Sequence, residues 1–422
     1  MTLLSKFYKK KVLILGAGEE GLDSLSFFKQ NIDYSALGVA DKLSFDDFGP
    51  KTKQVLKSGV TLHLGRSYLA AVKDYDVIVK SPGIPLSALK IDKHQVLTSQ
   101  SDIFLSNCKG NIIGITGTKG KSTTAHLIYN LLKNNGFSAQ LVGNIGMPAL
   151  SFLKDSKRVD FFVYELSSFQ LATIKKSPHI AIILNIFKDH LDNHTSFKEY
   201  MEAKAKITEF QKKEDFLIYD KDNEYVRIIA ERSIAKKIPF DSTKREKGIM
   251  VSIEPIIYLS ELLKIKKDIY EKTITEFGGL PHRTEFLGRY QGISFYNDSA
   301  ATIPEATINA INSLKNIQTL VVGGVDKGGD YPKLIDALKE SDIQNIVIFK
   351  GSPKDFEKGI TELGKIVFYA GDMKEAVQHC FNNTTKEKSC LLSPGFASFN
   401  MFKNYKERGE LFKRYVREQG KT

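Results

Sequence analysis

Residues 112–133 read IIGITGTKGKSTTAHLIYNLLK: an apolar run, a loop of glycine, threonine and lysine, and an amphipathic stretch of helical period, with no break between them. The order strand, glycine-rich loop, helix is that of a phosphate cradle. Successive backbone N–H groups of such a loop enclose phosphate oxygens, a lysine reaches the β and γ groups, and the next hydroxyl suits Mg²⁺. Here Lys121 and Ser122 stand in those places, preceded by Gly117, Thr118, Lys119 and Gly120 and followed by Thr123. The spacing departs from the strict Walker pattern, because the glycines fall at 114, 117 and 120. A turn with a purely structural role is the bland alternative.

Outward from this loop the same alternation continues. KVLILG, VIVKSPG, FFVYEL, IAIILNI, TLVVGG, NIVIFKG and SCLLSPG are short apolar runs ending in glycine, proline or polar residues, separated by helix-length amphipathic segments. Continuous short runs suit parallel strands covered on both faces, so the chain reads as α/β with doubly wound sheets. At roughly 150 residues per domain, 422 residues make about three domains. Breaks in the pattern near 105–109 and at GGLPHRTE (278–285) predict domains at 1–106, 107–283 and 284–422.

A second glycine-rich turn, GAGEEG, holds Gly16, Gly18 and Gly21 after the run KVLIL, and Asp41 closes the next apolar run. Glycines admit a phosphate to a helix N-terminus and the acid suits a ribose hydroxyl. The motif alone leaves three readings open: a dinucleotide, another nucleotide, or no ligand. Glu19 and Glu20 add negative charge inside the loop, which counts against a pyrophosphate of the dinucleotide kind.

Composition narrows the class. No apolar run approaches the roughly 18 residues of a membrane span. The opening MTLLSKFYKKKVLILG reads as a strand and not a signal peptide, because its apolar run is short and leads into the glycine turn. Three cysteines without paired spacing argue against a disulfide framework or a zinc site and for a reduced, cytoplasmic setting. The net charge of +12 comes from lysines scattered along the chain, which suits anionic small ligands better than nucleic acid.

Further motifs follow in order: SPGIP (81–85), GNIGMP (143–148), ELSSFQL (165–171), NIFKDHLDNH (185–194), YMEAKAK (200–206), LPHR (280–283), NDSAAT (297–302), GGVDKGGD (323–330) and SPGFASFNMFKNYKERG (393–409). With TGTKGKST they resemble the Mur ligases, ADP-forming amide ligases of peptidoglycan synthesis, over nearly the whole chain, and within them the branch that adds D-glutamate. The resemblance implies a Rossmann-like N-terminal domain for a UDP-sugar, a P-loop-type central ATPase domain and a Rossmann-like C-terminal domain for glutamate. The activity it implies joins D-glutamate to UDP-N-acetylmuramoyl-L-alanine through an acyl phosphate made from ATP, with Mg²⁺ as metal, in a monomeric enzyme. The same ligation with L-glutamate, or a non-catalytic nucleotide-sugar-binding relative, are the alternatives.

The resemblance also assigns residues. Lys121 clamps phosphate, Ser122 and Glu165 hold one Mg²⁺, and His190 with Lys204, the latter as a carbamate, serves a second. Read without it, Glu165 is a strand-end acid, His190 a histidine between Asp189 and Asp192, and Lys204 a solvated helix lysine; Lys206 is predicted to point elsewhere on that helix. Arg283 and Asp298 match nucleotide-binding positions. The UDP-sugar is assigned Gly18, Glu19 and Gly21, then Asp41 and Lys42, then Ser81, Pro82 and Gly83, and finally Asn144, Ser167 and Gln170. For glutamate the matching positions are Thr302, Lys327, Ser398, Phe399 and Tyr405, of which the two aromatics read equally well as core. Two departures stand out: Ala300 occupies a place where the D-glutamate branch usually has lysine, and the segment between Lys204 and Arg283 is short, leaving Ser252 nearest the expected adenine-binding position.

Overall fold

The computed structural model describes residues 3–57, 59–187, 196–242, 252–277, 279–326 and 331–421. The chain forms two compact units, Met1–Phe277 and Gly278–Thr422.

The first unit holds two parallel sheets. One contains β1 (Lys11–Leu15), β2 (Ala36–Asp41), β3 (Thr61–Leu64), β4 (Val77–Lys80) and β5 (Val96–Thr98) in the order β3-β2-β1-β4-β5. The other contains β6 (Asn111–Thr116), β7 (Ala139–Gly143), β8 (Phe161–Glu165), β9 (Ile180–Ile183), β10 (Phe216–Asp220) and β11 (Lys236–Phe240) in the order β11-β10-β9-β6-β8-β7. Every pairing in both sheets is parallel. In each sheet the first strand lies between two strands whose connections leave in opposite directions. That reversal opens a crevice at the carboxyl ends of the strands, and the two glycine-rich turns follow β1 and β6 directly into those crevices.

Burial explains the strand run of 112–115. Ile112, Ile113 and Ile115 are buried on both faces of β6. The helix Lys121–Asn134 that follows buries Leu127, Ile128, Leu131 and Leu132, a stripe at helical spacing, against that sheet. Each such side chain contributes about 1.5–3 kcal/mol. The helix starts at Gly120, whose φ of 85° suits glycine, and ends at Asn135 before Gly136.

The two sheets of this unit share an apolar core. Helix Gln100–Asn107, capped by the Ser99 hydroxyl accepting from the Asp102 N–H, brings Phe104 edge-on to Phe162 of β8, centroids 5.1 Å apart. The predicted boundary at 106 falls within this helix.

The second unit holds β12 (Glu285–Tyr290), β13 (Ile293–Asn297), β14 (Ile317–Val322), β15 (Asn345–Phe349), β16 (Ile366–Ala370) and β17 (Ser389–Leu392) in the order β12-β13-β17-β14-β15-β16. Among the described strands of this sheet the hairpin β12–β13 pairs antiparallel and the other pairings are parallel. Among the described residues no helix is long and apolar enough to cross a membrane.

Candidate active site

The loop after β6 is held open by one side chain of the neighbouring strand. Asn185, just past β9, accepts the Thr118 and Lys119 N–H groups on its Oδ1 at 3.1 and 2.8 Å and donates to the Lys119 carbonyl at 3.0 Å. Thr118 is fixed further by its hydroxyl, 2.9 Å from Tyr200 OH and accepting from the Phe187 N–H at 3.0 Å. Lys121 Nζ folds back to the carbonyls of Gly117 and Thr118 at 2.9 and 3.0 Å. Gly120 precedes the first helical residue, so Ser122 and Thr123 sit in the first turn with Lys121, where free N–H groups favour an anion.

Helix Phe197–Glu209, started by the Ser196 hydroxyl accepting from the Glu199 N–H, brings Tyr200 and Lys204 to this loop on one face. Lys204 is 1% exposed and donates to the Gly117 carbonyl at 2.8 Å and the Thr116 hydroxyl at 3.3 Å. Burial, with Lys121 nearby, holds its ammonium pKa well below the usual lysine range, only partly opposed by Glu165. Lys206 points away, as expected, to the Ala172 carbonyl at 2.8 Å.

Glu165 ends β8 beside the loop and is 1% exposed. Its Oε1 accepts from the Asn144 amide at 2.8 Å, whereas its Oε2 has no hydrogen-bond partner among the described residues. A buried carboxylate oxygen left bare costs free energy, so a cation is the partner the geometry asks for. Glu165, Ser122 and Lys204 thus gather round one loop. His190 lies outside the described residues, and among those described no cluster of three His, Cys, Asp or Glu side chains that could hold a metal occurs.

At the other crevice of this unit, the turn after β1 packs tightly. A Cβ on Gly21 would lie 1.9 Å from the Gly16 carbonyl oxygen, so only glycine allows the helix Glu19–Asn31 to start there. Asp41 accepts the Ala17 N–H at 2.7 Å and the Leu43 N–H at 2.9 Å, bracing the turn; Lys42 is exposed. Ser81, after β4, faces Gly16 across the crevice with its hydroxyl 3.4 Å from that carbonyl, and Pro82 and Gly83 continue the rim. Gln170 closes the far side: its Oε1 accepts from the Ser167 N–H at 2.8 Å and its Nε2 donates to Glu20 at 2.5 Å. Gly18 and Glu19 are exposed at the helix start.

In the second unit, loops at the carboxyl ends of β13, β17 and β14 hold the remaining positions. Asp298 is 7% exposed, accepting from the Thr284 N–H at 3.0 Å and the Ser393 hydroxyl at 2.7 Å. Burial pushes its carboxyl up to about 6 against those bonds and against Arg283. Ser398 is buried and Thr302 half-buried, while Phe399 and Tyr405 are exposed and therefore not core. Lys327 lies outside the described residues. Ser252, in the first unit, donates to the Asp241 carbonyl at 2.9 Å.

Three features were not singled out from sequence. Asn185 and Tyr200 lie within quoted motifs but carry no charge that marks them. Arg408 is fully buried in the second unit and ties two loops together, donating to Ser299 Oγ at 3.0 Å, Ser299 O at 2.9 Å and Phe396 O at 3.1 Å. Burial lowers its pKa to about 9.

Family models match the chain in sequence: the Mur ligase MurD-like N-terminal domain over residues 10–99, the Mur ligase middle domain over 115–293, and the Mur ligase glutamate ligase domain over 282–396. The UDP-N-acetylmuramoylalanine–D-glutamate ligase of Acetivibrio thermocellus is 32% identical over 97% of this chain and 97% of its own. The enzyme of that name from Christiangramia forsetii is 34% identical over 97% of this chain and 99% of its own. Among solved structures, UDP-N-acetylmuramate–alanine ligase of Thermotoga maritima superimposes with a TM-score of 0.54 at 17% identity, covering 98% of this chain and 100% of that one. MurF ligase of Thermotoga maritima in complex with ADP gives 0.54 at 18% identity, covering 99% and 98%. The likeness to both structures is one of fold.

Proposed function

The chain belongs to the Mur ligase family, and on that premise we propose that it joins D-glutamate to UDP-N-acetylmuramoyl-L-alanine at the expense of ATP, releasing ADP and phosphate. The observation that carries the reading at the level of chemistry is the cluster round the loop after β6: a phosphate-type loop, a buried carboxylate oxygen without a partner among the described residues, and a buried lysine whose pKa is held well below the usual range.

In this reading the alanine carboxylate attacks the γ-phosphorus of ATP and ADP leaves. The glutamate amine then attacks the acyl phosphate carbonyl, phosphate departs, and the amine proton passes to solvent. Two anions must meet in the first step, so cations and positioning carry the acceleration. The N–H groups of the helix start take the phosphates, in a loop whose Thr118 and Lys119 N–H groups are tied down by Asn185. Lys121 exchanges its carbonyl partners for phosphate oxygens. Ser122 and Glu165 offer hard oxygen ligands that fit Mg²⁺, as does Lys204 once its neutral amine has bonded to CO₂ and released a proton to give a carbamate. Mg²⁺ when bound would neutralise the charge gathering on the transferring phosphoryl group. His190 and Lys327 keep the roles the resemblance gives them, in metal and glutamate binding. Arg283 and Asp298 are read as nucleotide positions. Thr302, Ser398, Phe399 and Tyr405 are read as the glutamate side, with Arg408 holding the loops of Thr302 and Ser398 together.

The test is phosphate release by the full chain with UDP-N-acetylmuramoyl-L-alanine and ATP, run separately with D- and L-glutamate. Release that requires the D isomer is expected. Release with the L isomer alone overturns the substrate, and release with neither overturns the ligase reading.

A further inference from the structure

The crevice after β1 contains an acid that the ligase reading does not use. Glu20 is the second residue of the helix Glu19–Asn31, whose N-cap, Gly18, makes no side-chain cap bond, so the first N–H groups of that helix remain for a ligand. The helix cannot retreat, because Gly21 packs on the Gly16 carbonyl. The Glu20 carboxyl is tied to Gln170, whose Nε2 donates to it at 2.5 Å, and its backbone carbonyl accepts from the Gln100 amide at 3.1 Å.

The groups facing Glu20 do not neutralise it. Lys80, from the end of β4, is the nearby cation, and its Nζ is committed to the Ser81 and Pro82 carbonyls at 2.9 and 3.4 Å. Asp23, one turn along the same helix, adds negative charge, and Tyr164 reaches towards Glu20 from β8. A nucleotide diphosphate at this helix start brings about two more negative charges into the same crevice.

We propose that Glu20 is a positioning residue of the nucleotide-sugar site that is protonated when the diphosphate is bound, so that each binding event takes up a proton from solvent. The inference rests on reading this crevice as a UDP-sugar site. Ionised, Glu20 repels the diphosphate; protonated, its O–H becomes a donor held on Gln170 beside a phosphate oxygen. Burial already pushes the free carboxyl up to about 7 and the Lys80 ammonium down to about 8, so the exchange falls in the neutral range.

The experiment is calorimetric titration of the full chain with UDP-N-acetylmuramoyl-L-alanine, whose diphosphate diester does not titrate near neutrality, in buffers of different ionisation enthalpy. At pH 7.5 about three quarters of Glu20 and about one quarter of Lys80 would be deprotonated in the free protein. Wild type should therefore take up roughly 0.75–1 proton per ligand, and its Kd should rise by about 25-fold if Glu20 alone takes part and by about 100-fold if Lys80 joins it, between about pH 6.5 and 8.5. In Glu20→Gln the uptake should fall to the part Lys80 supplies, whose ammonium titrates lower once the carboxylate is gone, and Glu20→Gln combined with Lys80→Met should take up no proton, with a Kd flat over that range. Equal uptake in both proteins overturns the proposal, as does tight binding by wild type with no uptake. If Glu20→Gln does not fold, Lys80→Met decides: without that cation the Glu20 titration moves to higher pH, so uptake that persists with its window moved upward supports Glu20, and uptake absent at every pH up to about 9 overturns it. Failure of wild type to bind the UDP-sugar at any pH sinks the ligase reading and this inference with it.

Discussion

The unit Met1–Phe277 contains the same device twice, and the two copies differ in charge. Both glycine-rich turns leave a central parallel strand at a reversal of strand order and run into a helix N-terminus. Topology therefore selects the place of binding in each sheet, as it does in open α/β sheets generally. The side chains then select the chemistry. After β6 the first helical turn has no acid and carries Lys121. After β1 the first turn is Glu19 and Glu20 with no cation of its own. A cationic loop suits groups whose charge rises during a reaction, whereas an acidic one offers no such charge and repels an anionic ligand unless it is protonated. In the proposed reading one crevice reacts and the other holds.

The largest test of that division removes the reactive side. Lys121→Ala or Glu165→Gln should lower phosphate release by about a thousandfold or more, since each removes charge or ligation aimed at the phosphoryl group. UDP-sugar affinity, measured by calorimetry, should stay within about twofold. Equal loss of both would break the division, because it would make the two crevices one site.

Next in size is the packing of the holding side. Gly21→Ala should cost roughly 3 kcal/mol in denaturant unfolding, because its Cβ meets a carbonyl oxygen that cannot move without the strand. Gly18→Ala, with open space around it, should stay within about 0.5 kcal/mol. Similar losses at both positions would show that the helix start is not the fixed point described.

The acid in the holding crevice also leaves a mark on stability. Because burial raises the folded pKa of Glu20 from 4.5 to about 7, its contribution is full below the lower value and is lost as pH rises through the higher. The stability of wild type relative to Glu20→Gln should fall by about 2–3 kcal/mol between about pH 4.5 and 7.5. A flat difference would mean that the carboxyl is solvated and the contrast between the loops smaller than drawn.

How far this was legible in sequence depends on where a residue sits in its sheet. The apolar runs that read as strands became β1, β4, β6, β8, β9, β14, β15 and β17, all of them interior strands. Edge strands such as β3 (TLHL) and β11 (KKIPF) are partly exposed and their apolar runs break after a residue or two, since a continuous run is not required at an edge; β16 is apolar throughout, IVFYA, yet also half exposed. The same distinction holds for the sites. The residues of 117–123 act through one contiguous loop and its helix, and a contiguous pattern can be read. Asn185 with Thr118, Glu20 with Gln170, and Arg408 with Ser299 are contacts between segments far apart in the chain, set by which strands and loops end up adjacent. A carboxylate such as Glu165 is visible as an acid at a strand end; that one of its oxygens is left bare is visible only in three dimensions.

Asn185 gives the smallest test and the one most specific to the reacting loop. Its Oδ1 accepts two loop N–H groups, and the partner N–H to carbonyl bond at Thr118 does not involve the side chain. Asn185→Ala should therefore leave the loop present but loosely aimed. With two modest bonds lost, each worth about 1 kcal/mol, KM for ATP should rise about thirtyfold in the phosphate-release assay. Asn185→Asp retains the acceptor but adds charge against the phosphates, so it should be the worse of the two despite its closer shape. If alanine instead proves the more damaging, the loop depends on Asn185 for its fold, and the contrast between the two turns extends from charge to how each is built.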